Sequence, residues 1–150
     1  FFHKLSDHSV YLRYFRKLRS MPQRILQRTA DIDYSTDMAI VVLSPPDQFD
    51  NEIVGIAQWN SDIHVPSYPE VAFQVRDDWQ GEGLGTYLFH KILEIAKTTG
   101  IEKVKADVLV DNKAMNTLVE KSGYKYIRRS DFGVFSYEIR LKEESHNACI

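Results

Sequence analysis

The sequence predicts a mixed α/β fold, a twisted and mostly antiparallel sheet with one central parallel β-α-β crossover and flanking helices. Its elements run helix, helix, strand, strand, strand, helix, strand, helix, strand, strand. Two strands joined through one long helix must be parallel with a right-handed crossover, whereas the flanking pairs can close as antiparallel hairpins. The repeated strand–helix alternation that a doubly wound nucleotide fold requires is missing.

Ser6 stands as an N-cap before Val10, Tyr11, Tyr14, Phe15 and Leu18, an apolar stripe at helical spacing. Pro22 is placed to open a second helix, with Ile25, Leu26 and Thr29 on one face. The β-branched run from Asp37 to Leu43 stops at Ser44-Pro45-Pro46. Its partner is Glu52 to Asn60, reached through a hairpin connection over Asp47 to Asn51. Val71, Phe73 and Val75 alternate with Ala72, Gln74 and Arg76 in a period-two strand. After a glycine-rich turn, Leu84, Leu88, Ile92, Ile95 and Ala96 repeat at helical spacing as far as Gly100, a suitable C-cap. Lys103 to Val110 returns to strand, with Val104, Ala106 and Val108 on one face. Asn112 to Lys121 is helical, with Met115, Leu118 and Val119 facing inward. Tyr124 to Arg129 and Phe132 to Leu141 read as two closing strands.

A chain of 150 residues with 43% hydrophobic composition suits one core, so residues 1–142 are expected to form a single domain. The polar stretch 143–150 reads as a flexible tail. The opening Phe1-Phe2 puts two large apolar side chains at a terminus, which points to a fragment of a longer polypeptide. A net charge of −2 gives no electrostatic reason to expect nucleic acid as a partner. No apolar run approaches the roughly 20 residues needed to cross a bilayer, so no membrane is expected. The single cysteine, Cys149, cannot form an internal disulfide and fits a reducing cytoplasm; it reads as a stray surface thiol. The five histidines are scattered without metal-ligand spacing, so no metal site is expected. His64 reads as a surface loop residue, and Asp77-Asp78 reads equally as a solvated acidic turn or as an attraction for a lysine.

The segment Gln80-Gly81-Glu82-Gly83-Leu84-Gly85-Thr86 joins a strand to a helix. Glycine lets a ligand approach the main chain closely, and a helix start offers unpaired N–H groups with partial positive charge. Together these suit a phosphate or pyrophosphate, although a tight turn without a ligand would look the same. A dinucleotide fingerprint would need glycine where Thr86 stands, and a P-loop would need a Gly-Lys pair that is absent.

With Gln80, Gly83 and Gly85 in place after a strand, the turn resembles the Gln/Arg-x-x-Gly-x-Gly/Ala signature of the GNAT superfamily of N-acyltransferases. The stretch Asn112-Lys113-Ala114-Met115 through Leu118 to Gly123-Tyr124 resembles the family's second element, an Asn-led helix ending in Gly-Phe or Gly-Tyr. The resemblance covers about Asp37 to Leu141; the family's first strand would lie upstream of residue 1. It implies acetyl-CoA as cosubstrate and the GNAT fold. The amides from Gln80 through Gly81, Glu82, Gly83, Leu84 and Gly85 to Thr86 would hold the CoA pyrophosphate. The main chain of Phe73 and Val75 would pair with the pantetheine arm and polarise the acetyl carbonyl. Asn112, with Met115, would meet the pantetheine, and Asn112 can also cap its helix.

An amine attacks acetyl-CoA only when neutral, and a lysine with a pKa near 10.4 needs a base at pH 7. Glu70, heading the strand before the glycine turn, matches the catalytic glutamate of GNAT protein lysine acetyltransferases, the bacterial Pat type in particular. The matching pattern is Glu-Val-Ala-Phe-x-Val followed by Asp-Asp-aromatic-Gln-Gly-x-Gly. A solvated charge at a strand end is the plain alternative. Many family members carry a tyrosine general acid where this chain has Val119, so no acid follows from the motif, and Tyr124 or Tyr87 would be guesses. The resemblance therefore implies an N-acetyltransferase acting on a protein lysine, fused to other domains. Acetylation of a small amine or amino acid, and non-catalytic acyl-CoA sensing, remain open, because acceptor choice would lie in the first two helices and the loop from Asn60 to Pro69.

Overall fold

The computed structural model describes residues 1–15, 23, 27, 31–34, 36–46, 51–61 and 68–142. Among them lie α1 (Asp7–Tyr14), β1 (Met38–Leu43), β2 (Ile53–Asn60), β3 (Glu70–Val75) and α2 (Leu84–Thr98). They are followed by β4 (Lys103–Leu109), α3 (Lys113–Glu120), β5 (Lys125–Asp131) and β6 (Val134–Arg140). One sheet holds the strands in the order β1-β2-β3-β4-β6-β5. Every neighbouring pair is antiparallel except β3 and β4, which α2 connects. The expected mixed sheet with one parallel crossover is borne out. The helix expected from Pro22, most of the first hairpin connection, His64, Cys149 and the tail lie outside the described residues.

Two stripes differ from their sequence reading. Ser6 caps α1 as expected, its Oγ accepting the Ser9 N–H at 3.1 Å. The helix ends at Tyr14, however, because Phe15 adopts left-handed backbone at φ 60°. Val10 is buried, but Tyr11 and Phe15 are exposed, so only part of that stripe reaches the core. On α2 the buried residues are Leu88, Phe89, Ile92, Leu93 and Ala96, while Leu84 and Ile95 are only half-buried. Phe89 and Leu93 widen the apolar face beyond the single row read from the sequence. Each fully buried side chain of this size contributes about 1.5–3 kcal/mol, which fixes α2 firmly on the sheet. Gly55 in β2 permits the close approach, since a Cβ there would come within 2.9 Å of Leu88 Cδ1.

The core lies on the α2 face, where Ala57, Trp59, Val71, Val75, Val104 and Tyr137 are buried. α1 covers the opposite face. Gln74, which alternates with Phe73 and Val75, donates from Nε2 to the Ser9 carbonyl at 3.1 Å.

Asn116 joins α3 to the sheet. Its Nδ2 group donates to the carbonyls of Leu109 (3.1 Å), Val110 (3.3 Å) and Asn112 (2.9 Å). Its Oδ1 accepts the hydroxyl of buried Tyr137 at 2.6 Å. One amide thus satisfies the end of β4, the start of α3 and a phenol inside the core. Asn116→Ala leaves several of these groups unpaired and is expected to cost roughly 2–4 kcal/mol in urea denaturation. A cost well under 1 kcal/mol would show that water replaces the amide.

Candidate active site

β3 and β4 part almost as soon as they meet. Their registered pair is Glu70 with Lys105, beside a hydrogen bond from Lys105 N–H to the Pro69 carbonyl at 2.9 Å. On the far side of β3, the Arg76 N–H reaches the Val54 carbonyl of β2 at 2.8 Å. Backbone groups alternate sides along a strand, so these two bonds set the phase. The even-numbered residues turn their N–H and C=O toward β2. Val71, Phe73 and Val75 turn theirs toward β4, whose bridge at Glu70 and Lys105 takes up the Val71 N–H and leaves those of Phe73 and Val75 facing a gap.

That gap is a cavity of about 1050 Å³. Glu70 to Val75 form one wall, Ala106 to Val108 another, and α1 a third through His8, Leu12, Arg13 and Tyr14. Gly81, Gly83, Gly85 and Thr86 line it from the turn, and Asn112 to Met115 line it from α3. Glu70, Phe73, Val75, Gln80, Asn112 and Met115 are therefore brought to one space. Glu82 and Leu84 do not line it; the Leu84 side chain packs toward Gly55.

Within the turn, Gly81 and Gly83 have φ of 80° and 83°, and a Cβ at either would meet no atom within 4 Å. Gly83 is the N-cap of α2 and brings no capping side chain, and the first helical bond runs from Tyr87 N–H to the Gly83 carbonyl at 3.0 Å. The N–H groups of Leu84, Gly85 and Thr86 at the helix start thus precede that first bond. This cradle fits an anionic group. Gly85 differs: a Cβ there would make ordinary contact with Phe73 at 3.6 Å, matching the Gly/Ala tolerance of the signature. Gln80 is engaged otherwise than expected. Its N–H donates to the Asp77 carbonyl at 3.2 Å, and its side chain donates to the Val75 carbonyl at 3.0 Å and Ser9 Oγ at 3.3 Å. It braces the turn against α1 and closes the open edge of β3.

Asp77 and Asp78 are exposed, as a solvated turn would be, but each is also held by partners. Asp77 accepts the Ser6 N–H (2.9 Å), the Ser6 hydroxyl (2.7 Å) and the Ser9 hydroxyl (2.9 Å), clamping α1 over the cavity. Burial pushes its carboxyl up, but the bonds from Ser6 and Ser9 outweigh this and hold it below the usual range. Asp78 receives a two-pronged contact from Arg76, Nε at 2.6 Å and Nη2 at 2.7 Å. That bond, and with it the guanidinium charge, lowers the Asp78 carboxyl. Arg76 also reaches Glu52 at 2.9 Å, and Lys4 holds Glu52 from outside at 2.8 Å. The strand alternation hid this arginine, which is only 2% exposed.

Asn112 caps α3 through Oδ1, which accepts the Met115 N–H at 3.3 Å, and it lines the cavity as well. Val119 is fully buried, so no group projects from that position into the site. Tyr87 and Tyr124 lie off the cavity. Tyr14 is the tyrosine on its wall among the described residues, and burial raises its phenol more than neighbouring Arg13 lowers it. Tyr14 stays protonated at neutral pH. No motif marked it; only its place in the α1 stripe could have.

The α1 clamp has a defined pH dependence. Because the folded-state Asp77 pKa is depressed, its stabilisation is complete above the unfolded value near 3.9 and is lost as pH falls through the lower folded value. Asp77→Asn is expected to cost roughly 1 kcal/mol at neutral pH, the exposed carboxylate being screened by solvent. The melting temperatures of variant and wild type should converge below about pH 4. A constant gap down to pH 2 would remove Asp77 from this role.

Comparison with known proteins agrees with this geometry. The acetyltransferase (GNAT) family model matches residues 8–124. Acetyltransferase Pat of Mycolicibacterium smegmatis is 29% identical over 140 residues, 91% of this chain but 39% of that protein. Acetyltransferase PA5475 of Pseudomonas aeruginosa is 27% identical over 124 residues, 83% of this chain and 66% of its own length. The GNAT domain of S. lividans PAT has a similar fold, with a TM-score of 0.78 at 24% identity, covering 91% of this chain and 79% of that one. The Salmonella typhimurium acetyltransferase yncA, solved with its cofactor acetyl-CoA, gives a TM-score of 0.51 at 21% identity over 67% of this chain and 65% of its own. With the family model spanning most of its length and the glycine turn, parted strands and Asn-led helix assembled round one cavity, the chain belongs to the GNAT family of acyl-CoA-dependent N-acetyltransferases.

Proposed function

We propose that this domain transfers acetyl from acetyl-CoA to a protein lysine side chain, with Glu70 as general base. The observation that carries the reading is the position of Glu70, in the registered pair from which β3 and β4 diverge, on the wall of the cavity that the glycine turn also lines. Glu70 takes the proton, directly or through water, as the amine attacks. A β3 N–H of Phe73 or Val75, turned into the gap, faces the negative charge that grows on the acyl oxygen. The phosphates rest on the amides from Gly81 to Thr86, and Asn112 and Met115 flank the pantetheine. Acetyl-CoA supplies the acyl group and its thiol departs, so no metal is required.

The Pat-type pattern that opens with Glu70 is what supports a protein lysine as acceptor, and a relative named acetyltransferase Pat is 29% identical over 140 residues. The chain spans 39% of that relative, which supports residues 1–142 acting as one catalytic domain within a larger protein. Among the described residues no helix is long and apolar enough to cross a membrane.

The test compares wild type with Glu70→Gln on lysine-bearing proteins and free amines, following lysine acetylation and CoA thiol release. Transfer to protein lysines should fall about 10²–10⁴-fold in the variant while acetyl-CoA affinity stays within about twofold. The wild-type rate should rise with pH as the acceptor amine loses its proton. Transfer confined to small amines would move the acceptor class, and acetyl-CoA binding without any turnover would point to a sensor.

A further inference from the structure

Among the described residues, Glu70, Asp77, Asp107 and Asp111 are the acids that line the large cavity. Glu70 is the proposed base, and Asp77 is committed to Ser6 and Ser9. Asp111 stands in the turn between β4 and α3. Asp107 is the acid that a strand carries into the cavity beside Glu70.

Strand alternation sets the face on which it stands. On β4, Val104, Ala106 and Val108 are buried in the core, whereas Lys105 and Asp107 are exposed on the opposite side. Lys105 is registered with Glu70, so Glu70 shares that exposed side. Asp107 follows one strand repeat, about 6.6 Å, further along β4. There β3 has already parted from β4, and two places on from Glu70 the cavity wall is Ala72. Its methyl group brings no charge and leaves room beside the Asp107 carboxylate.

The neighbouring polar groups steady Asp107 and draw cations away from it. Ser136, directly opposite on β6, donates its hydroxyl to Asp107 Oδ1 at 2.8 Å. β6 flanks β4 on the side away from β3, so this bond holds the carboxylate from behind the cavity wall and uses a fraction of its accepting capacity. Lys105 places its ammonium 5.9 Å from the centre of the Tyr68 ring. Lys103 lies 5.2 Å from the same ring and 3.1 Å from Glu138. Tyr68 precedes β3, so both ammonium groups sit toward the start of the parallel pair, and Asp107 sits toward the gap.

We propose that Asp107 recognises the acceptor: its carboxylate holds the cationic amine so that the nitrogen reaches Glu70 already oriented. Asp107 accepts hydrogen bonds and takes no proton, which leaves proton removal to Glu70. Such a charge-assisted bond is roughly twice as strong as a neutral one. The site thereby selects a lysine over a neutral side chain of the same shape. This assignment rests on the lysine reading given above.

The experiment titrates two capped tripeptides into the CoA-bound chain by calorimetry, one with a central lysine and one with norleucine, which keeps the four-carbon stem and lacks the ammonium. Wild type is compared with Asp107→Asn and Ser136→Ala. Both positions are exposed, so the variants should melt as wild type does. Wild type should bind the lysine peptide about tenfold or more tightly than the norleucine peptide. Asp107→Asn should lose that preference, with norleucine and CoA affinities unchanged, and Ser136→Ala should lose part of it. With acetyl-CoA, the KM for the lysine peptide should rise about tenfold in Asp107→Asn while kcat falls less than about threefold. A preference for lysine that survives in Asp107→Asn, or its absence from wild type, overturns the proposal. The base reading fails separately: transfer that survives Glu70→Gln removes Glu70 as base and leaves the Asp107-dependent binding preference standing.

Discussion

The constraint on which the rest of this domain depends is the separation of two parallel strands that share one sheet. β3 and β4 register at Glu70 and Lys105, and beyond that pair, whose bridge takes up the Val71 N–H, the gap-facing backbone groups of Phe73 and Val75 have no registered strand partner. Buried backbone groups must find partners, so an interior gap of this kind persists only where solvent, a side chain or a ligand supplies them. Gln80 supplies one, by capping the Val75 carbonyl. The others face a cavity whose far end is a helix start with free amides. One irregularity in the sheet therefore creates both an edge that can pair with an extended arm and the place where its phosphates can rest.

Holding the gap open requires bracing from both faces. α2 is fixed by five buried apolar residues on one side, with Gly55 letting it approach the sheet. On the other side α1 is short and only partly apolar, and polar contacts hold it to β3 and the turn. The adjacent residues Asp77 and Asp78 pull in different directions, the first onto Ser6 and Ser9 of α1, the second onto Arg76 at the end of β3. Glu52 and Lys4 extend this chain of charges to the edge of β2. A dipeptide next to the glycine turn thus ties together the two structures that flank the cavity.

The succession of elements along the chain, the central parallel crossover and the glycine turn were legible in the sequence because each has a local cause. Periodicity separates strands from helices, and glycines at 81 and 83 occupy backbone that other residues enter only with strain. What was not legible depended on partners distant in sequence. Arg76 alternates in the strand like any solvent-facing residue, and its burial follows only from Glu52 and Asp78 closing round it. Asn116 looks like an ordinary polar residue between Met115 and Val119, yet it bonds to Tyr137 twenty-one positions away. Tyr14 belongs to a stripe that periodicity assigned to the core, whereas the left-handed turn at Phe15 ends the helix and leaves Tyr14 on the cavity wall. The role of Gln80 was likewise read from its place in a signature, while its side chain answers to Val75 and Ser9.

Net charge is uninformative about the cavity for a related reason. A value of −2 describes the sum of all side chains, and it argued against any phosphate-rich partner of large extent. A ligand responds to local potential instead. Here Glu70, Asp77, Asp107 and Asp111 line the large cavity together with Arg13, Lys113 and Lys121. That wall offers both signs, and the start of α2 adds partial positive charge where the glycine turn lines the same space. Charge of both signs along one cavity can in this way orient a long, unevenly charged ligand before any specific contact to its reactive end is made.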